Sequence, residues 1–314
     1  MSQISASKQA DAQPDNSRAA AAPGLQYYYY INGQLQPSQG RPAAPQFITP
    51  ETFSPANLSW TQTSNPHRFR RLHQAYPEFI YKGFWLTRQP ARLQVIYDFS
   101  VPGLADYRPE LSFPLPEHCG EEPEAVTRRA LDPLALRSLF CLGLMESISY
   151  WKACCSPLFT VRAAGLDAAE KDWWLKLFYQ GLGEFLYRNG LDLQSKDLLT
   201  IKAAPPAAAL SNPAAAPAAE SDPGSSCLIP VGGGKDSVVT LMRTRSLNIR
   251  RYAFGVNPGP AALTCMALAG IAAEDQLIVH RKLDQTLLSL NQLGFLNGHT
   301  PFSALLAFSS YYTA

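Results

Sequence analysis

The stretch CLIPVGGGKDS, residues 227–237, decides how this chain is read. Residues 227–231 are a short apolar run stopped by glycine, as a buried strand is. Gly232, Gly233 and Gly234 then let the backbone turn tightly, and a helix is expected over 237–246. A strand, a glycine turn and a helix form a natural anion site. Glycines bring N–H groups close to a ligand, and a helix N-terminus adds partial positive charge. Lys235 supplies a full charge and Ser237 a hydroxyl, while Asp236 either caps the helix or holds a metal ion.

Downstream, RYAFGV at 251–256 and QLIVH at 276–280 read as two more strands, with helices near 260–271 and 284–293. This β-α-β-α-β order predicts an α/β fold with a parallel, doubly wound sheet that takes ligands at the carboxyl ends of its strands. Asn257 ends the second strand. It faces adenine or ribose, or is simply part of an Asn-Pro-Gly-Pro turn. His280 is expected to be packed. His299 lies in NGHTP, before a helix with Thr300 as N-cap and Pro301 at its first position. With about three strands the sheet is expected to be incomplete, with an open edge and a half-covered apolar face, as in a fragment or an unusually small domain.

Upstream, FIYKGFWL at 79–86 and ARLQVIYDF at 91–99 predict an antiparallel hairpin. One helix is expected from Asp132 as N-cap, through Pro133, to about residue 155. A second opens at Asp167, with Glu170 three residues on, and ends at Asn189 and Gly190. Its apolar face carries Trp173, Trp174, Phe178 and Phe185; Lys176, Gln180, Glu184 and Arg188 form a polar stripe. The resulting division is a disordered tail over 1–46, an α+β unit with a hairpin and two long helices over 47–202, an Ala/Pro-rich linker over 203–226, and the glycine-turn unit over 227–314.

Of 314 residues, 46% are hydrophobic, which is enough for a core and excludes a wholly disordered chain. Lys and Arg number 27 against 25 Asp and Glu, so charge gives no reason to expect a nucleic-acid partner. Six cysteines contain no C-x-x-C pair, which argues against a disulfide framework or a structural zinc site. The start of the chain lacks an apolar signal region. The longest apolar run, 139–145, is far short of the ~20 residues of a membrane span. A cytoplasmic protein without a membrane partner is expected.

Three nucleotide motifs compete for the glycine turn. A Walker A loop fails because Asp236 follows Lys235 and no glycine stands five residues before Gly234. A dinucleotide fingerprint fails because Ser237 replaces the third glycine and Asn257, not an acid, ends the second strand. The turn resembles the Ser-Gly-Gly-x-Asp-Ser loop of the ATP-pyrophosphatases, departing from it at Gly232. More narrowly, SYWKA at 149–153, the Trp173-Trp174 pair, GLGEF at 181–185, YRN at 187–189, IPVGGGKDS at 229–237 and GFLNGHTPF at 294–302 together resemble the UDP-N-acetylmuramoyl-L-alanyl-L-glutamate epimerases, over about residues 75–308.

The resemblance implies a peptidoglycan-synthesis enzyme. It inverts the terminal L-glutamate of UDP-MurNAc-L-Ala-L-Glu using ATP and Mg2+, and releases AMP and pyrophosphate. Adenylating a carboxylate removes its charge and acidifies the α-proton, so that a base and an acid can then invert the centre. Gly232, Gly233, Gly234, Lys235, Asp236, Ser237 and Asn257 are expected at ATP, with Asp236 at the metal. Glu184, His299 and Lys152 are the acid–base candidates, each with a structural alternative. Glu184 also fits a solvated helix face paired with Arg188, Lys152 a favourable helix end, and His299 a plain loop. Other readings are an adenylating ligase or RNA-modifying enzyme with the same loop, and an inactive fragment. The oligomeric state is not legible.

Overall fold

Tyr27, Tyr28, Tyr29 and Tyr30 alternate across a strand, and Tyr30 buries its ring against Phe84 with centroids 4.7 Å apart. They belong to a computed structural model that describes residues 25–45, 48, 63–89, 91–115, 128–206 and 226–314. Strands β1 (Gln26–Ile31) and β2 (Gln34–Ser38) form a hairpin across Asn32 and Gly33, both at positive φ. The N–H groups of Asn32 and Gly33 donate to the carbonyls of Arg162 and Ala163. Assigning all of 1–46 to a disordered tail is therefore corrected for residues 26–38. Polar composition averaged over the tail hid a tyrosine strand followed by Asn-Gly, a strong hairpin turn. Residues 1–24, Cys119 and most of the Ala/Pro stretch lie outside the described residues.

The expected hairpin is present as β3 (Glu78–Gln89) and β4 (Arg92–Val101), preceded by helix α1 (Asn65–Ala75). Strands β5 (Ala105–Tyr107) and β6 (Glu110–Pro114) both pair with β4. Helix α2 (Pro133–Trp151) packs along the sheet, with Asp132 accepting the Ala135 N–H at 2.7 Å. Strand β7 (Leu158–Val161) runs parallel to β3, and β8 (Thr200–Ala203) parallel to β7.

The helix expected from Asp167 to Asn189 is two helices, α3 (Ala168–Gly181) and α4 (Gly183–Arg188), with a single turn, α5 (Ser195–Leu198), beyond. The capping box of Asp167 and Glu170 is formed. The break comes where Gly181 lies bare against Pro301: a Cβ at Gly181 would stand 2.7 Å from the proline ring. Pro301, rather than Thr300, is the residue before the last helix. Trp173, expected on the apolar face, is half exposed, while Trp174 is buried.

The C-terminal segment has β9 (Ser226–Pro230), α6 (Lys235–Thr244), β10 (Arg250–Val256), α7 (Pro260–Leu268), β11 (Gln276–Lys282), α8 (Gln285–Gln292) and α9 (Phe302–Thr313). Strands β9, β10 and β11 are parallel, as expected. Because they lie side by side in chain order, both crossover helices cover the same face. Ile229, Val231 and Ala253 pack there against Leu241 of α6 and Ala262 and Met266 of α7. Phe254, Val256, Leu277 and Val279 point the other way, into the core shared with α2, α8 and α9. The expected half-covered face is thus corrected, since helices cover both faces, but these strands themselves are wound on one side.

The sheet does not stop at the parallel strands. Strand β11 pairs antiparallel with β6, Arg281 opposite Leu111, giving the order β2-β1-β3-β4-β6-β11-β10-β9. This mixed α/β sheet carries one main core across both parts of the chain. His280, expected to be packed, is exposed.

Candidate functional site

The site begins where β9, β10 and β11 end. At β9, the Val231 N–H holds the base of the glycine turn to the Phe254 carbonyl at 2.8 Å. Gly233 has φ +83, and a Cβ there would stand 2.6 Å from the Ala262 nitrogen, so only glycine lets the turn lie against the first turn of α7. The Gly232 N–H donates to Ser237 Oγ at 3.0 Å. Gly234 caps α6 and Gly259 caps α7, both without a side-chain acceptor. A Cβ on Gly234 would meet nothing within 4 Å, so the space over the turn is open to a ligand. Lys235 and Asp236 are exposed beside it. Donor N–H groups, open space and a lysine fit a polyphosphate.

Among the described residues no group of three or more His, Cys, Asp or Glu side chains is placed to hold a metal ion. A Mg2+ at Asp236 would therefore share that carboxylate with phosphate oxygens, its usual manner of binding.

At the end of β10, Asn257 adopts φ +45. Its Nδ2 donates to the Arg281 carbonyl at 2.6 Å, and its Oδ1 accepts the Arg281 N–H at 3.0 Å. The side chain thus extends the ladder to β11. Its amide is engaged with backbone at the end of β10.

Arg281, at the end of β11, turns inward. Its Nε and Nη2 donate to the two carboxylate oxygens of Glu146 at 2.8 and 2.9 Å, and Nη2 also reaches Ser149 Oγ at 3.1 Å. Glu146 is completely buried in α2; burial pushes its carboxyl up, against the pull of Arg281. Neither residue was singled out by sequence. The available signal was one acid inside a helix apolar on nearly every side, which must find a partner.

Lys152 follows α2 and is buried beside Arg281; burial and that neighbour push its ammonium down to about 8. Its Nζ donates to the Gly298 carbonyl. Glu184, in the first turn of α4, accepts the His299 N–H at 2.8 Å and lies 3.5 Å from Arg188. The His299 N–H is the main cause holding the Glu184 carboxyl below its ordinary value. Asn189 Nδ2 donates to the Asn297 carbonyl at 3.1 Å. The three acid–base candidates, far apart in sequence, therefore meet on one turn, 297–299. Lys152 and Glu184 hold its backbone, and His299 is exposed on it.

The adjacent Cys154 and Cys155 are buried and free, and burial raises both thiols, so they offer no ready thiolate. No helix among the described residues is long and apolar enough to cross a membrane.

Residues 70–314 match the MurL N-terminal domain family. The chain is 29% identical over 226 residues to a Micromonospora protein named UDP-N-acetyl-alpha-D-muramoyl-L-alanyl-L-glutamate epimerase, covering 70% of this chain and 46% of that protein. It is 30% identical over 173 residues to a protein of the same name from Xanthomonas oryzae pv. oryzae, covering 54% and 35%. A third relative of that name, from Salinispora tropica, is 31% identical over 169 residues, covering 54% and 34%. The chain thus spans between a third and a half of the length of these relatives. No solved structure matches it.

Proposed function

The chain belongs to the MurL N-terminal domain family, and from that premise we propose that it acts in the ATP-dependent epimerisation of the terminal L-glutamate of UDP-MurNAc-L-Ala-L-Glu, a step of peptidoglycan synthesis. The observation that carries this reading is the meeting of Lys152, Glu184 and His299 on one turn, beside a parallel sheet that bears an open glycine turn.

In this reading the glycine turn is a pyrophosphatase-type loop. The N–H groups following Gly232 take ATP phosphate oxygens, and Lys235 adds charge. Asp236 would hold Mg2+, which when bound would supply charge neutralisation on the triphosphate. Attack of the glutamate carboxylate on the α-phosphorus forms the acyl adenylate and releases pyrophosphate. The adenylate no longer carries the carboxylate charge, so its α-proton is acidic enough for a side-chain base. Lys152, with its ammonium held down to about 8, is partly neutral near neutral pH and suits a proton acceptor. His299 suits the donor on the exposed side of the turn. Glu184, engaged with the His299 N–H, positions that turn and does not itself transfer the proton. Hydrolysis of the adenylate then gives AMP and the D-glutamyl product.

The test supplies the purified chain with UDP-MurNAc-L-Ala-L-Glu, ATP and Mg2+, and follows glutamate configuration and AMP together. The expected result is D-epimer and AMP in equal amounts, with neither formed when ATP is omitted. AMP without epimer would assign the loop to an adenylating ligase. Neither product from folded protein that binds both substrates would overturn the proposal.

A further inference from the structure

We propose that Arg281 is an oxyanion-binding residue, positioned by Glu146, Ser149 and Asn257, and that it takes a carboxylate or phosphoryl oxygen at the carboxyl end of β11. The identity of the ligand rests on the reading above; the anion site itself does not.

Arg281 is fixed twice. Asn257 holds both its N–H and its carbonyl, and the Glu146 carboxylate with Ser149 occupies one edge of its guanidinium. The remaining nitrogen, Nη1, has no hydrogen-bond partner among the described residues. A planar guanidinium clamped along one edge presents the other at a set angle, the geometry that matches a carboxylate or phosphate.

Energetics point the same way. Glu146 is wholly buried, and desolvating an ion pair is costly where apolar side chains of similar size would pack at least as well. Glu146 is the one carboxylate of α2, a helix otherwise mostly apolar, so the pair stands against the pattern of its own helix. It stands at the carboxyl end of β11, the end at which parallel sheets take ligands. Buried Lys152 lies beside Arg281, so two cations share this end of the sheet.

The test measures binding of inorganic phosphate, pyrophosphate and glutarate to the wild-type chain by calorimetry, then to two variants. Glu146→Leu with Arg281→Met replaces the pair by apolar groups of similar size. Arg281→Lys keeps the charge but not the fork, and retains a partner for Glu146 if the double variant fails to fold. Wild-type protein is expected to bind at least one probe, and folded variants to bind it at least tenfold more weakly. Preference for glutarate assigns the site to a substrate carboxylate, and preference for pyrophosphate to nucleotide. A wild type that binds none of the three, or a folded variant within twofold of wild type, overturns the proposal. A chain that binds anions through Arg281 yet neither binds ATP nor forms epimer would retain this site and sink the epimerase reading.

Discussion

The carboxylate of Glu184 accepts the backbone N–H of His299 at 2.8 Å, although 115 residues separate the two. This bond ties the start of α4 to the turn that presents His299. The N–H holds the carboxyl low, so the group contributes stability that is present above the unfolded carboxylate value of about 4.3 and lost as pH falls through the lower folded value. Glu184→Ala should speed hydrogen exchange at the His299 amide, with Glu184→Gln intermediate. Below pH 4 the melting difference between wild type and Glu184→Gln should shrink. A His299 amide equally protected in all three proteins would show that the bond does not hold the turn.

Lys152 gives a slope of the same sign in a higher pH window, there because a burial cost is relieved. Its folded ammonium titrates at about 8, below its ordinary value, so between those limits the unfolded chain binds more protons. Stability should rise with pH across roughly 8 to 10.4, whereas below 8 both states are protonated and the burial cost is fully expressed. Lys152→Met should remove that rise and also release the Gly298 carbonyl. Urea unfolding at several pH values, read as wild type minus variant, isolates the effect. A difference flat in pH would contradict it.

Gly233 and Gly234 separate folding from binding. Gly233→Ala places a Cβ 2.6 Å from the Ala262 nitrogen at φ +83, and should cost about 2 kcal/mol or more in stability. Gly234→Ala meets no atom within 4 Å, so its stability should stay within about 0.5 kcal/mol of wild type. If phosphates lie over the turn, Gly234→Ala and the Lys235→Ala, Asp236→Ala double variant should each weaken ATP·Mg2+ binding by about tenfold, or 1.4 kcal/mol. Unchanged affinity in folded variants would remove the nucleotide from this turn.

The parallel strands should not fold alone. Strand β11 needs β6 at its edge, and Arg281 needs Glu146; in addition Arg92 Nη2 donates to the Ile278 carbonyl at 2.9 Å, and the Arg108 N–H to Asp284 at 2.7 Å. Residues 226–314 expressed alone should show no cooperative melt, and should gain one on mixing with residues 25–206. A sharp transition in the isolated segment would mean that the shared sheet is dispensable.

The β-α-β-α-β order, the hairpin at β3 and β4, the caps at Asp132 and Asp167 and the glycine turn were all legible in sequence, because each rests on local periodicity or on a residue whose backbone preference acts in place. The Tyr-rich hairpin was legible too, and was lost only by averaging composition over its surroundings. What tertiary structure alone decided involves partners distant along the chain. Pairing of β11 with β6 merged two apparent units into one sheet, Gly181 came to lie against Pro301 where the expected long helix divides, and Glu146 found Arg281 across 135 residues. The convergence of Lys152, Glu184 and His299 belongs with these. Local propensity sets which elements form. Which buried charges are neutralised, and where, depends on strand order and packing, which no window of sequence contains.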